Sequence, residues 1–346
     1  MKSLEENYLS NLKFPPDMIA SLRSIGEYKG KEELYTKQSP DVLEKLLESA
    51  IIQSAESSSR IEGITAPPER IEVIVKAKAE PRNRPEQEIA GYRDVLNYIH
   101  QSYAEIPLTE NTILQFHSML FRFTTTKPSF WKINNNKIID RNPDGTEVTR
   151  FVPVSAKDTP GYMNKLINLY NDYQGKGSFD PIVLVPLFVF DFLCIHPFSD
   201  GNGRISRLLT LLFLYLCGYK VGKYISLERI IEESKSTYYD VLLLSSKGWH
   251  EGKHNVFPWL NYFYGVLIAA YKEFESRIGV FKGKGHKTEQ VKSVIQRSIK
   301  PFSIVDIEEA CPNVTRDTIR KVLRELRDEG VIKPTSMGRG AKWVKK

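Results

Sequence analysis

Nine consecutive residues, His196-Pro197-Phe198-Ser199-Asp200-Gly201-Asn202-Gly203-Arg204, put an imidazole, a carboxylate, a glycine-flanked turn and a guanidinium into one short loop. Each of these groups suits phosphate chemistry. A histidine can accept a proton near neutral pH. Asp200 is the kind of oxygen ligand that Mg2+ takes alongside substrate phosphates. Gly201-Asn202-Gly203 precedes a helical pattern, and consecutive backbone N–H groups at a helix start form an anion site that glycines let a phosphate approach. Arg204 offers a bidentate phosphate partner, and Arg207, three residues on, shares its helix face. Alone, a histidine is usually structural and an Asp-Gly-Asn-Gly is usually a surface turn. Together, in one loop between apolar segments, they point to function.

The segments that must position this loop are Ile182–Ile195 and Ile205–Cys217, the two most apolar stretches of the 346-residue chain. Pro186, Asp191 and Arg207 interrupt them, and both fall short of the roughly 20 apolar residues of a spanning helix. They read as buried core helices, so no membrane contact is expected. The first residues, Met-Lys-Ser-Leu-Glu-Glu, lack the apolar core of a signal peptide. Cys194, Cys217 and Cys311 lie far apart with no CxxC pair, which fits buried thiols in a reducing cytoplasm. The length suffices for two domains and a large core.

Charge is unevenly placed. Residues 281–346 hold 16 Lys and Arg against 8 Asp and Glu; the whole chain has 49 against 42, which leaves 33 against 34 for residues 1–280. The net positive charge therefore belongs to the C-terminus, where any nucleic-acid contact is expected.

Residues 1–38 are mixed and read as a wrap around a core elsewhere. Ser39-Pro40-Asp41 is a helix start, with Ser as N-cap and Pro at the first helical position. Val42, Leu43, Leu46, Leu47, Ala50 and Ile51 follow at helical spacing, Gly63 suits a C-cap, and Pro67-Pro68 end the pattern. Helices are predicted over Pro85–Ala104 and Thr109–Phe121. Over Trp131–Pro153, apolar residues flank the turn sequence Asn142-Pro143-Asp144-Gly145, which predicts a β-hairpin. Helices resume over Gly161–Tyr173, flank the nonapeptide, and cover Leu227–Ser246 and Pro258–Phe281. Phe281–Lys287 reads as a basic linker. Three short helices (Thr288–Ser298, Ser303–Ala310, Thr315–Glu329) and two strands (Val331–Thr335, Ala341–Val344) around Ser336–Gly340 form a winged-helix pattern.

His196–Arg204 resembles the Fic-family signature, His-Pro-Phe-x-(Asp/Glu)-Gly-Asn-Gly-Arg, at every fixed position, and Arg207 fits its extension. The similarity covers the helical core from about residue 40 to 275. It implies a mainly α fold: an N-terminal helical region (1–108) with an inhibitory helix at about 40–63 and a catalytic core (109–280) with a flap hairpin at 131–153; the residue patterns add a linker (281–287) and a winged-helix domain (288–346). It also implies a nucleotidyltransferase, a protein adenylyltransferase that moves AMP from ATP to a Ser, Thr or Tyr hydroxyl of a target protein, itself included, and releases diphosphate. His196 would be the base and Asp200 the Mg2+ ligand. Gly201, Asn202 and Gly203 would cradle phosphates, and Arg204 would bind the β/γ end. Such transfer rests on positioning and charge stabilisation. Tyr238-Tyr239 and Leu242 resemble the family's adenine and ribose pocket. The hairpin resembles its flap, which aligns a target segment by strand addition.

Ser58-Ser59-Arg60-Ile61-Glu62-Gly63 resembles the family's inhibitory motif, (Ser/Thr)-x-x-x-Glu-(Gly/Asn). Ser58 and Glu62, four apart, share one helix face. A carboxylate in a last helical turn faces the negative helix end, at a cost of roughly 0.3–1 kcal/mol, so a cationic partner is expected. The resemblance implies Arg207, with Glu62 in γ-phosphate space and Ser58 docking the helix. Some family members also use this Glu in removal of AMP.

Arg316, Arg320, Lys321, Arg324 and Arg327 recur along the third C-terminal helix, a DNA-binding pattern that Asp317, Glu325, Asp328 and Glu329 dilute. Protein contacts, including a homodimer, are the other use of such a domain. Two alternatives follow: a nucleotide-sensing DNA-binding regulator, and Fic-type transfer of another phosphate-containing group. Intact His196 and Asp200 favour an enzyme over a sensor, and intact Gly201 and Gly203 favour AMP transfer.

Overall fold

The computed structural model describes all residues except 1, 39, 78, 126–129, 142–144, 281–285, 298–300, 312–313, 336–340 and 346. The expected N-cap Ser39, most of the hairpin turn, most of the expected linker and the tip Ser336–Gly340 lie outside the described residues. The chain divides into two compact units, Met1–Phe274 and Glu275–Lys346.

The first unit is mainly α. Helices α1 (Glu6–Leu9) and α2 (Pro16–Gln38) precede α3 (Pro40–Ile61), α4 (Pro68–Ala77), α5 (Arg84–Ser102) and α6 (Glu110–Leu120). An antiparallel hairpin follows, β1 (Ile138–Arg141) and β2 (Glu147–Phe151), with Ile139 opposite Thr149. Then come α7 (Thr159–Lys176), α8 (Pro181–Ile195), α9 (Asn202–Leu216), α10 (Leu227–Glu233), α11 (Lys235–Ser246) and α12 (Phe257–Val280), whose residues from Glu275 on belong to the second unit.

The core sits around α8. Asp180 caps it, its Oδ1 accepting from the Ile182 N–H at 2.9 Å, and Pro181 occupies its first position. Every residue from Ile182 to Phe192 is buried, as expected of a helix apolar all round. Its one charge, Asp191, is fully buried but well partnered. It accepts from Trp249 Nε1 (2.7 Å), Ser3 Oγ (2.7 Å) and the Ser3 backbone N–H (3.0 Å). Helices α7 and α9 pack on α8, α5 bridges α3, α6 and α9, and α10 packs on α3. The His196–Asn202 turn is therefore the connection between two deeply buried helices.

Several expectations are corrected. The wrap over residues 1–38 contains the 23-residue α2, whose weak amphipathicity hid it, and α4 begins at the Pro68 read as a stop. Proline is at home in a first helical turn. Paired strands occupy only 138–151 of the predicted hairpin, and residues 131–137 form a loop. The helix predicted over Leu227–Ser246 breaks at Ser234, whose Oγ donates back to the Ile230 carbonyl (2.9 Å), a bond that competes with the helix ladder.

The second unit contains α13 (His286–Arg297), β3 (Phe302–Ser303), α14 (Ile304–Ala310), α15 (Arg316–Asp328), β4 (Ile332–Pro334) and β5 (Lys342–Lys345). Its antiparallel sheet runs β3-β5-β4, and β3 was not foreseen. Ser303 and Asp306 form a capping box on α14. His286 and Lys287, read as linker, begin α13. Val291, Phe302, Ile319 and Val322 belong to one buried core.

Candidate active site

Helix α8 ends at His196, which adopts the left-handed conformation (φ 52°, ψ 61°). It is the one non-glycine with positive φ among the described residues. That conformation costs an L-residue roughly 1–2 kcal/mol and persists where its surroundings hold it. His196 Nδ1 lies 3.3 Å from the Leu193 carbonyl. A carbonyl only accepts, so the proton belongs on Nδ1 and Nε2 is left as the acceptor. Burial, then the charge of Lys132, brings the imidazole pKa down to about 4, against opposing pulls from Glu62 and Asp200. The imidazole is therefore neutral at pH 7.

The rest of the loop is stapled from within. Asn202 Oδ1 accepts from the Phe198 N–H (2.9 Å), and Asn202 Nδ2 donates to the Phe198 carbonyl (2.8 Å). His117 on α6 stacks on Phe198 (centroids 3.8 Å apart, 7° between planes) and its Nε2 donates to the Asp200 carbonyl (3.0 Å). The Lys132 backbone N–H donates to the Pro197 carbonyl (2.8 Å), and its Nζ donates to the Ile195 carbonyl (3.0 Å). The Asn202 side chain, expected to touch phosphate, is spent on holding the loop.

The arginines differ in role. Arg204 is 1% exposed; its NH1 pairs with Glu88 of α5, its NH2 lies 3.2 Å from Asp200 Oδ1, and it sits over the Phe121 ring. This guanidinium is a clamp between α5 and the loop, not the open phosphate partner expected. Arg207 is directed at α3. Its Nε donates to Ser58 Oγ (2.9 Å), and its NH2 donates to the Ser58 carbonyl (2.9 Å) and to Glu62 Oε1 (2.8 Å). Burial opposes the Arg207 charge, but the Glu62 carboxylate holds its pKa above the usual value.

Glu62 is the first residue past α3, and Gly63 follows it in the left-handed region (φ 78°). Ile64 N–H donates to the Ser59 carbonyl (3.0 Å), closing the helix end. This reversal points the Glu62 carboxylate at the first turn of α9. A Cβ on Gly203 would stand 3.0 Å from the Glu62 carboxyl carbon and 3.2 Å from Arg207 NH1, and would overlap Glu62 Oε1. The glycine is what lets an anion lie there.

A cavity of about 680 Å³ opens beside these groups. His196, Glu62, Gly203, Tyr238 and Tyr239 line it, with Ile139 and Arg150 from the hairpin. Tyr238 is 3% exposed and packs against Trp259, whereas Tyr239 sends its hydroxyl toward the Ile61 carbonyl (3.4 Å). Asp200, Gly201, Asn202, Arg204 and Arg207 are not among its lining residues.

Asp200 is half open to solvent. Its Oδ1 accepts from the Gly201 N–H (2.6 Å), and its Oδ2 faces Arg84 NH2 at 3.7 Å. Among the described residues no three His, Cys, Asp or Glu side chains converge as a metal cage. One solvent-exposed carboxylate, its Oδ2 held only by the 3.7 Å contact with Arg84, does fit Mg2+ that arrives on nucleotide phosphates, since that ion keeps one or two carboxylates plus phosphates and waters.

Lys132, Asn136, His117 and Glu88 were not singled out in the sequence. The one signal was the Arg84–Glu88 spacing on α5, an i,i+4 pair (2.8 Å) whose carboxylate also holds Arg204.

Residues 107–214 match the Fic/DOC family. The chain is 33% identical over 72 residues to "Protein adenylyltransferase fic-1" of Caenorhabditis elegans, 21% of this chain and 14% of that one. It is 32% identical over 92 residues to "Protein adenylyltransferase Fic" of Aedes aegypti, 26% of this chain and 17% of that one. The chain thus spans less than a fifth of the length of either relative. The crystal structure of a Fic family protein from Desulfovibrio desulfuricans superposes with a TM-score of 0.64 at 20% identity, covering 97% of each chain, a likeness of fold.

Proposed function

We propose that this chain, whose residues 107–214 form a Fic/DOC family domain within a Fic-type fold, is a protein adenylyltransferase held in check by its own Glu62. His196 Nε2 takes the proton of a Ser, Thr or Tyr hydroxyl on a target protein. The hydroxyl oxygen bonds to the α-phosphorus of ATP as the bond to the bridging oxygen breaks, and diphosphate leaves. The depressed imidazole pKa keeps the base unprotonated at neutral pH. The N–H groups of the first turn of α9 and Arg207 bind phosphate oxygens. Tyr238 and Tyr239 wall the nucleoside side of the cavity. Mg2+, when bound, neutralises phosphate charge, and Asp200 would hold it. Arg204 keeps Asp200 and α5 in register through Glu88.

The observation that carries this reading is the seat of Glu62. Its carboxylate lies against Gly203, at the helix start, on the guanidinium of Arg207, in the cavity that His196 faces. An anion fills the place an ATP phosphate needs. The test is transfer from ATP labelled at the α-phosphate in cell lysate. Label on protein is expected with Glu62→Gly and none with His196→Ala; equal labelling in those two lanes overturns the reading.

A second reading concerns the C-terminal unit, taken as a winged helix. Helix α15 buries Ile319, Val322, Leu323 and Leu326, and presents Arg320, Lys321 and Arg324 to solvent. That face supports contact with a DNA backbone, although ion pairs with Asp317 and Glu325 offset part of it. Salt-dependent retardation of duplex DNA by the full chain is expected; no retardation at low salt removes this reading.

A further inference from the structure

One cation beside the reactive loop has no place in the scheme above. Lys132 is 3% exposed. Its ammonium donates to the Ile195 carbonyl (3.0 Å) and to Asn136 Oδ1 (2.8 Å), both neutral oxygens. Among the described residues no carboxylate pairs with it. Burial lowers its pKa to about 8, so it remains mostly charged at pH 7. Burying an ammonium without a carboxylate is costly, and the fold keeps it at a specific spot. That spot is the C-terminal end of α8, whose last carbonyls have lost their helical partners and carry the negative end of the helix dipole.

The surrounding bonds converge on the same turn. The Lys132 N–H holds Pro197, and Asn136 Nδ2 reaches the carbonyls of Phe198 (3.1 Å) and His196 (3.4 Å). Asn135 Oδ1 accepts from the Ala156 N–H (2.7 Å), tying the segment to the chain beyond the hairpin. The carbonyls on both sides of the left-handed His196 are thus gripped by one side-chain pair. Neither Lys132 nor Asn136 lines the cavity.

We propose that Lys132, with Asn136 behind it, is a positioning residue of the transfer reaction: its ammonium holds the Ile195 carbonyl and so fixes the left-handed turn from which His196 serves as base. The proposal rests on His196 being that base. A charge effect accompanies the geometry. Three charged groups act on the imidazole: Lys132 disfavours its protonation, while Glu62 from the end of α3 and Asp200 from the loop favour it. Without Lys132 none of these charges opposes the carboxylates; in a Glu62→Gly background Asp200 alone remains, and loss of the Lys132 charge still moves the imidazole pKa upward.

The test uses the full chain in a Glu62→Gly background, with Lys132→Met, Lys132→Arg and Asn136→Ala added singly. Lys132→Met is expected to lower kcat about 10- to 100-fold, the scale of a misplaced catalytic group, with KM for ATP nearly unchanged. The acid limb of its pH–rate profile should move up by about one pH unit. Lys132→Arg keeps the charge and should leave that limb in place while kcat falls. An NMR titration of the His196 imidazole reads the same shift without any turnover. If Glu62→Gly shows no transfer from ATP, the functional reading fails, and the titration still decides the Lys132 proposal. Should Lys132→Met not fold, Asn136→Ala, which frees the ammonium from its second anchor, must lower kcat with KM held. An unshifted His196 titration together with unchanged kcat in these variants overturns the proposal.

Discussion

Substituting Gly203 distinguishes an anion site shared by Glu62 and nucleotide from two independent features. Gly203→Ala adds one methyl group, and in the first turn of α9 it favours the helix by up to about 1 kcal/mol, so the protein should fold. The added Cβ would overlap Glu62 Oε1 and stand 3.2 Å from Arg207 NH1. Glu62 must then retreat from its 2.8 Å bond to Arg207 NH2. A hydrogen bond to a charged group contributes about 1.5–3 kcal/mol; Glu62 is 29% exposed, so the lower end applies. Removing Glu62 altogether should therefore raise nucleotide-competent protein by about tenfold or more.

Gly203→Ala also weakens the brake, but it takes the same space from a phosphate. Overpacking a tight site costs roughly 1–3 kcal/mol, or about 5- to 150-fold in binding. Labelling from ATP and equilibrium ATP binding are measured for wild type, Glu62→Gly, Gly203→Ala and the double variant. Glu62→Gly should activate, Gly203→Ala should not, and the double variant should lose most of the gain. A double variant as active as Glu62→Gly refutes the shared site, because the nucleotide would then not use the space that Glu62 fills.

Two further outcomes follow from the same contacts. Glu88→Ala leaves Arg204, which is 1% exposed, with the half-open Asp200 as its remaining carboxylate, and breaking the buried pair should cost about 3 kcal/mol, the low end for such a loss, in a denaturant titration; a loss under 1 kcal/mol contradicts the clamp. Burial holds His117, His196 and His254 at pKa values of about 4. The folded state therefore binds fewer protons than the unfolded chain below pH 6.5, and stability should fall as pH drops from about 6.5 toward 4; a thermal midpoint that is flat across this window refutes the depressed values.

The machinery was legible in the sequence where chemistry and local structure coincide. His196, Gly203 and Arg207 were singled out by residue type and spacing, Ser58 and Glu62 by their resemblance to the inhibitory motif, and the structure brings all five together. The Ser58–Glu62 spacing placed both on one helix face, and the resemblance implied Arg207 as the partner of Glu62, which the structure pairs at 2.8 Å. Legibility failed where a residue's role depends on tertiary neighbours. Arg204 reads as a phosphate ligand next to Gly203, but Glu88, from a helix more than 100 positions upstream, takes its charge. Asn202 looked like part of a cradle, yet its amide matches the backbone of Phe198 on both edges.

The same reasoning explains why Lys132 was invisible. A lysine before a hairpin has no periodicity to mark it, and in an extended strand it would face solvent. Only because residues 131–137 leave the predicted hairpin and fold against the loop does its ammonium reach the end of α8. The departure from the expected strand and the support of His196 are thus one structural fact. A left-handed histidine at a helix end needs its flanking carbonyls held, and a hairpin that began at residue 131 would have left them without the bonds that Lys132 and Asn136 supply.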